Sequence, residues 1–176
     1  EDRDFYQHSG ISIKATIRAI IVDVLTLSTR QGASTITQQL ARNMYNSIGF
    51  KKTINRKIKE LITAIKIEQT YTKSEILELY LNSIYFGHGN YGVQSASIYY
   101  FSKNVSKLTL DEASILIGLL PAPARYSPIR HPEKSLNRRN LVLNVMQSEG
   151  YISNDELQAN LSKELSVSKS EYNNSI

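Results

Sequence analysis

The sequence predicts a mostly or wholly α-helical fold in one domain. Helix-opening signals recur along the chain, apolar residues repeat behind them at steps of three and four, and no segment shows recurring strand punctuation. At 176 residues the chain is long enough to bury about two-thirds of the surface that its unfolded form would expose, without a disulfide or metal staple.

Residues 11–27 form the most apolar stretch, but Lys14, Arg18 and Asp23 interrupt it, so it is neither a transmembrane span nor a signal-peptide core. Ile13, Ile17, Ile20, Ile21 and Val24 still run along one stripe, which suits either a core helix or a membrane surface. Residues 32–45, GASTITQQLARNMY, predict a helix with Ser34 as N-cap. Ile36, Leu40 and Met44 repeat every fourth residue, and Thr35, Gln38, Gln39 and Arg42 share the opposite arc, where hydroxyl, amides and guanidinium suit sugar hydroxyls and phosphate oxygens.

Residues 53–66, TINRKIKELITAIK, are two-sided when placed about 100° apart. Ile54, Ile58, Leu61, Ile62 and Ile65 fall on one side, and Lys52, Arg56, Lys59 and Glu60 cluster on the other. That face is either a solvated surface with an Arg56–Glu60 pair at i, i+4, or an anion site with a carboxylate beside it, because crowded cations repel until an anion arrives.

Thr72 with Glu75, Thr109 with Glu112 and Ser153 with Glu156 each have the capping-box spacing that opens a helix. Ile76, Leu77, Tyr80, Leu81 and Ile84 then repeat at helical steps, as do Ala113, Leu116, Ile117 and Leu120 before Pro121 and Pro123 stop them. Leu141, Val142, Val145 and Met146 mark a further helix, closed by Gly150. Residues 86–92, with three glycines, predict an ordered loop, and residues 121–132 an irregular stretch. The domain runs over residues 1–165, and residues 166–176 are polar and aperiodic, as in a frayed tail or the start of a linker.

With no cysteine, disulfides, thiolate nucleophiles and cysteine-bound zinc are excluded, and His8, His88 and His131 show no metal-binding spacing, so no metal ligands are assigned. Lys and Arg exceed Asp and Glu by 21 to 16, which favours an anionic partner, yet no nucleic-acid motif of the usual kinds is visible.

EDRDFYQHSG, RQGASTITQQLARNMY, RKIKE, KSEILELYLNSIYFG and RRNLVL, in that order over residues 1–143, resemble the five motifs of bacterial peptidoglycan glycosyltransferases, the domain of class A penicillin-binding proteins and monofunctional transglycosylases. The resemblance implies a lysozyme-like helical domain with a larger head lobe and a small membrane-proximal jaw, the jaw including residues 11–27. It implies polymerisation of lipid II onto a lipid-linked glycan strand, at the outer face of the cytoplasmic membrane, anchored by a segment absent from this chain. Other cell-wall synthesis proteins would be partners, moenomycin an inhibitor, and nucleic acid no partner.

By the same resemblance Glu1 is the general base on the acceptor 4-hydroxyl and Glu60 the second essential carboxylate. Arg42, Lys52, Arg56 and Lys59 would hold the departing pyrophosphate, with Ser34, Thr35, Gln38 and Gln39 on the substrate; a divalent cation such as Mg2+ at the pyrophosphate is left open. Asp2 either supports Glu1 or caps a helix, Phe5 and His8 are supports, Arg139 belongs to a core-edge salt bridge, and exposed Lys163 is dispensable for binding. A lysozyme-like hydrolase would share the fold and a glutamate but would not need the basic row. A non-enzymatic anion-binding module would leave Glu1 and Glu60 without purpose.

Overall fold

The computed structural model of the chain describes residues 1–10, 34–44 and 54–167; Lys52, the stripe within residues 11–27 and the tail residues 168–176 lie outside them. Among the described residues there are seven α-helices, two short 3-10 turns and one two-stranded hairpin, in two compact units, Glu1–Ser83 and Ile84–Ile176.

The first unit opens with a 3-10 turn, Phe5–Gln7, followed by α1 (Ile36–Met44), α2 (Ile54–Thr70) and α3 (Lys73–Ser83). Phe5, Leu40, Ala41, Ala64, Ile67, Ile76 and Tyr80 form its buried centre, and burying a side chain of Leu or Ile size stabilises by about 1.5–3 kcal/mol. Thr35, not the expected Ser34, caps α1: its hydroxyl accepts the Gln38 N–H at 3.2 Å. Asp2 adds a second cap from far along the chain, accepting the Ile36 N–H at 3.0 Å. The Thr72–Glu75 box forms as expected, Glu75 accepting from both the Thr72 N–H and its hydroxyl at 2.8 Å.

Helix α2 is oriented opposite to what its apolar period suggests. Ile58, Ile62 and Ile65 are 50%, 51% and 39% exposed, whereas Glu60 is fully buried and faces inward with Ala64 and Ile67. The inward arc is the one that α1 and α3 cover, and the small Ala64 lets another backbone come close. A Cβ on Gly10, whose φ is +85°, would lie 3.2 Å from the Ala64 carbonyl carbon and oxygen, so only glycine fits that approach.

In the second unit, β1 (Tyr85–Gly87) pairs antiparallel with β2 (Asn90–Tyr91). The stretch read as a loop is thus a hairpin, because His88 and Gly89 take φ of 50° and 80°, the left-handed pair that a two-residue turn requires. Four helices follow, α4 (Val93–Phe101), α5 (Leu110–Leu119), α6 (Pro132–Ser148) and α7 (Asn154–Leu161); α4 was not foreseen. The Thr109–Glu112 and Ser153–Glu156 boxes open α5 and α7, Gly150 follows the end of α6 at φ +78°, and Pro132 starts α6.

Phe86, Tyr100, Ile115, Leu116, Leu119, Leu143 and Leu157 fill this unit's core. Arg139, expected in a salt bridge, is fully buried and donates to carbonyls instead, to Lys163 O at 2.8 Å and Leu161 O at 3.2 Å, satisfying the end of α7. Lys163 is exposed as expected, and its ammonium donates to Asp111 at 2.8 Å and Asn160 at 3.0 Å.

Candidate functional site

The first unit gathers charge around one buried carboxylate. Glu60 accepts from Arg56 Nη1 at 2.8 Å on one oxygen and faces Arg42 Nη1 at 3.5 Å on the other, while Lys57 Nζ stands 3.8 Å away. Arg56 reaches it by the i, i+4 step, Lys57 by i, i+3, and Arg42 from α1. Three cations thus surround one anion.

Lys57 also joins the two helices. Its ammonium donates to Ser34 Oγ at 2.8 Å and to Gln38 Oε1 at 2.7 Å. Burial pulls its pKa below the ordinary lysine value; Glu60 opposes that, and Arg56 and Arg42 add to it. Lys59, the expected member of this row, is exposed. The i, i+3 spacing to Glu60 was the signal that would have selected Lys57 instead.

The other foreseen polar residues divide by how they are used. Thr35 donates its hydroxyl to Gly10 O at 2.7 Å, and Gln38 donates its amide to the same oxygen at 3.1 Å. Both are buried and spend their polar atoms inside the protein. Ser34 and Gln39 are half-buried, and Gln39 Oε1 accepts from the Tyr80 hydroxyl at 3.2 Å. Lys52 lies outside the described residues.

Tyr80, from α3, links this cluster to Glu1. Burial pushes its hydroxyl above the ordinary phenol value, the Glu1 carboxylate pushes it the same way, and Arg42 pulls against them. Tyr80 therefore feels the exposed Glu1 on one hand and the cation cluster on the other. In the sequence Tyr80 stands out only by its place in the apolar period. Asp2, beside Glu1, accepts from His8 Nε2 with both oxygens at 3.0 Å as well as capping α1, so of the two roles weighed for it the helix cap is formed.

Among the described residues no three His, Cys, Asp or Glu side chains converge as a metal-binding set. Both Glu60 oxygens already face guanidinium donors, so these residues do not offer a divalent cation a ligand set of their own.

A family model described as Transglycosylase matches residues 1–147 of the chain. The chain belongs to the transglycosylase family. It is similar to penicillin-binding protein 1A of Aquifex aeolicus, with 50% identity over 96% of this chain and 23% of the relative, and to penicillin-binding protein 1F of Bacillus subtilis, with 49% identity over 89% of this chain and 22% of the relative. The chain thus spans less than a quarter of the length of these relatives. Among solved structures, the crystal structure of penicillin-binding protein 1A from Haemophilus influenzae matches with a TM-score of 0.53 and 45% identity over 55% of this chain and 14% of that one.

The mostly helical architecture is accordingly that of the lysozyme-like transglycosylase fold, and the chain is a peptidoglycan glycosyltransferase domain. No helix among the described residues of this transglycosylase is long and apolar enough to cross a membrane.

Proposed function

We propose that this transglycosylase polymerises lipid II into β-1,4-linked glycan strands at the outer face of the cytoplasmic membrane, and that its transferase domain extends to residue 165. The observation that carries the reading is the cluster of Arg42, Arg56 and Lys57 around buried Glu60. A hydrolase with a sugar leaving group has no use for surplus positive charge; a departing pyrophosphate does.

In this reading the acceptor GlcNAc 4-hydroxyl oxygen attacks the anomeric carbon of the donor MurNAc. As that C–O bond forms, the hydroxyl proton passes to the Glu1 carboxylate. The bond from the anomeric carbon to the pyrophosphate oxygen breaks on the opposite face, so α becomes β, and its electron pair leaves on undecaprenyl pyrophosphate. Arg42, Arg56 and Lys57, with Lys52, stabilise the charge that develops there. Ser34 and Gln39 contact substrate. Thr35 and Gln38 hold α1 in place, and Lys59 contributes at longer range through its charge. Glu60 keeps the cations together and orients them. Moenomycin, which carries a phosphate, would compete for the same cations.

The test is polymerisation of labelled lipid II by the intact protein carrying Glu1→Gln. A carboxamide cannot take the proton, so polymer formation and release of lipid pyrophosphate should fall by roughly two or more powers of ten with the thermal midpoint unchanged. Near-normal turnover would overturn the reading of Glu1.

A further inference from the structure

We infer that Lys73 and Glu68 are a positioning pair that fixes the segment bearing Glu1; the inference rests on the reading of Glu1 as the base. Residues 1–10 have no regular structure beyond the Phe5–Gln7 turn. A catalytic carboxylate must nevertheless be held to about 0.5 Å. The rigidity has to come from outside the segment.

Lys73, the first residue of α3, reaches into the segment at two places. Its ammonium donates to the His8 carbonyl at 2.5 Å and sits 4.4 Å from the centre of the buried Phe5 ring. Its third partner is Glu68 Oε1 at 2.7 Å, and that oxygen also accepts from Thr37 Oγ1 at 2.5 Å. The Glu68 and Lys73 side chains are only 7% and 22% exposed. A pair that stitched α2 to α3 would need only itself; here two of the three Lys73 partners belong to the catalytic segment.

The His8 backbone matters because its ring holds Asp2. Nδ1 accepts from the Gly10 N–H at 3.2 Å, which places the ring proton on Nε2, facing both Asp2 oxygens at 3.0 Å. Asp2 is bonded in turn to the Ile36 N–H at 3.0 Å. Thr37, Glu68, Lys73, His8, Asp2 and Ile36 therefore form a chain of contacts that starts and ends on α1 and passes beside Glu1. Neither Lys73 nor Glu68 needs to touch substrate.

The experiment measures steady-state lipid II polymerisation and thermal midpoint in the intact protein for Lys73→Met, Lys73→Arg, Glu68→Gln and Glu1→Gln. Lys73→Met should lower kcat by about 10- to 100-fold per folded molecule while KM stays within about twofold, the mark of a displaced reacting group. Glu68→Gln should lower kcat in the same way. Lys73→Arg, which keeps the charge and a donor, should recover a large part of the loss, and a double variant carrying both Lys73→Met and Glu68→Gln should be no slower than Lys73→Met. Full kcat in whichever of Lys73→Met and Glu68→Gln folds would reduce the pair to a helix-to-helix stitch. If Glu1→Gln itself retains turnover, the base assignment fails and takes the positioning role with it. If Glu1→Gln is inactive while the Lys73 and Glu68 variants are not, the positioning role alone fails.

Discussion

Both units remove carboxylates from water, and Glu60 of the first is neutralised differently from Asp111 and Glu112 of the second. In the second unit Asp111 accepts from Lys163 at 2.8 Å and from the Thr109 hydroxyl at 2.9 Å, and Glu112 accepts from Lys103 at 2.6 Å and the Thr109 N–H at 2.9 Å. Two anions thus meet two cations. In the first unit, among the described residues, the single carboxylate of Glu60 meets Arg42, Arg56 and Lys57.

The electrostatics run in opposite directions. Burial by itself raises the Asp111 and Glu112 carboxyls; the hydrogen bonds from Lys163 and Lys103, with those from Thr109, outweigh it, and both end below their ordinary values. Lys57 is shifted against its charged form by burial and by its guanidinium neighbours. Two like charges about 5 Å apart repel by roughly 3 kcal/mol at an effective dielectric near 20. The second unit's pairs are complete, while the proposed function requires that the first unit's cluster be relieved by an added anion, and that requirement is what the following experiments test.

The largest expected effect comes from deepening the imbalance. Glu60→Ala leaves three cations without their carboxylate and should destabilise the domain by about 3–5 kcal/mol, as for other broken buried pairs. Polymerisation should be lost as well. Thermal melts with and without added pyrophosphate check this: the anion should raise the midpoint of Glu60→Ala more than that of the parent protein, and no such rescue would mean that the cluster does not take anions.

A smaller effect is expected where the charge is balanced. Asp111→Asn should cost only about 1–2 kcal/mol, since Lys163 is 46% exposed and can turn to water. Turnover per folded molecule should not change; a specific loss of kcat would break the distinction between the units.

The two regions should also separate along the pH axis. A carboxyl whose folded value is depressed contributes stability above its unfolded value and loses it as pH falls through the folded one, so the Glu112 contribution fades below the ordinary 4.5 and that of Asp111 below the ordinary 3.8. Lys57 gives a slope of the same sign, but on the alkaline side. Between its lowered folded value and the ordinary 10.5 the unfolded chain binds the extra proton, so stability rises with pH through that window. Denaturant melts of Lys57→Met against the parent should show the parent gaining on the variant as pH rises there. Least of all, Ser153→Ala, which removes the α7 cap, should cost about 0.5–2 kcal/mol and leave activity alone.

Local rules made much of the fold legible, although the cap of α1 is Thr35 and not the neighbouring Ser34. All three capping boxes and the Gly150 terminus depend on residues within a few positions of one another. The hairpin was missed because its signal, a non-glycine residue at positive φ before Gly89, is conformational and not compositional. The orientation of α2 was missed for a different reason. Periodicity finds two faces, and which face turns inward was decided by α1 and α3, whose Arg42 and Tyr80 belong to the charged side of the problem. Arg42, Arg56 and Glu60 were readable as a group from their spacing and from the resemblance. Lys57 and Tyr80 became visible only when the helices were placed.

A transferase that releases lipid pyrophosphate needs affinity for the pyrophosphate group in its first unit. The decisive measurement is calorimetric titration of the intact protein, and of Arg42→Gln, Lys57→Met and Lys103→Gln, with a short-chain lipid II analogue. The account expects Arg42→Gln and Lys57→Met to weaken Kd by about tenfold or more, roughly 1.4 kcal/mol each, and Lys103→Gln, from a balanced pair, to change it less than about twofold. Equal shifts in all three variants, or none in the first two, would contradict it.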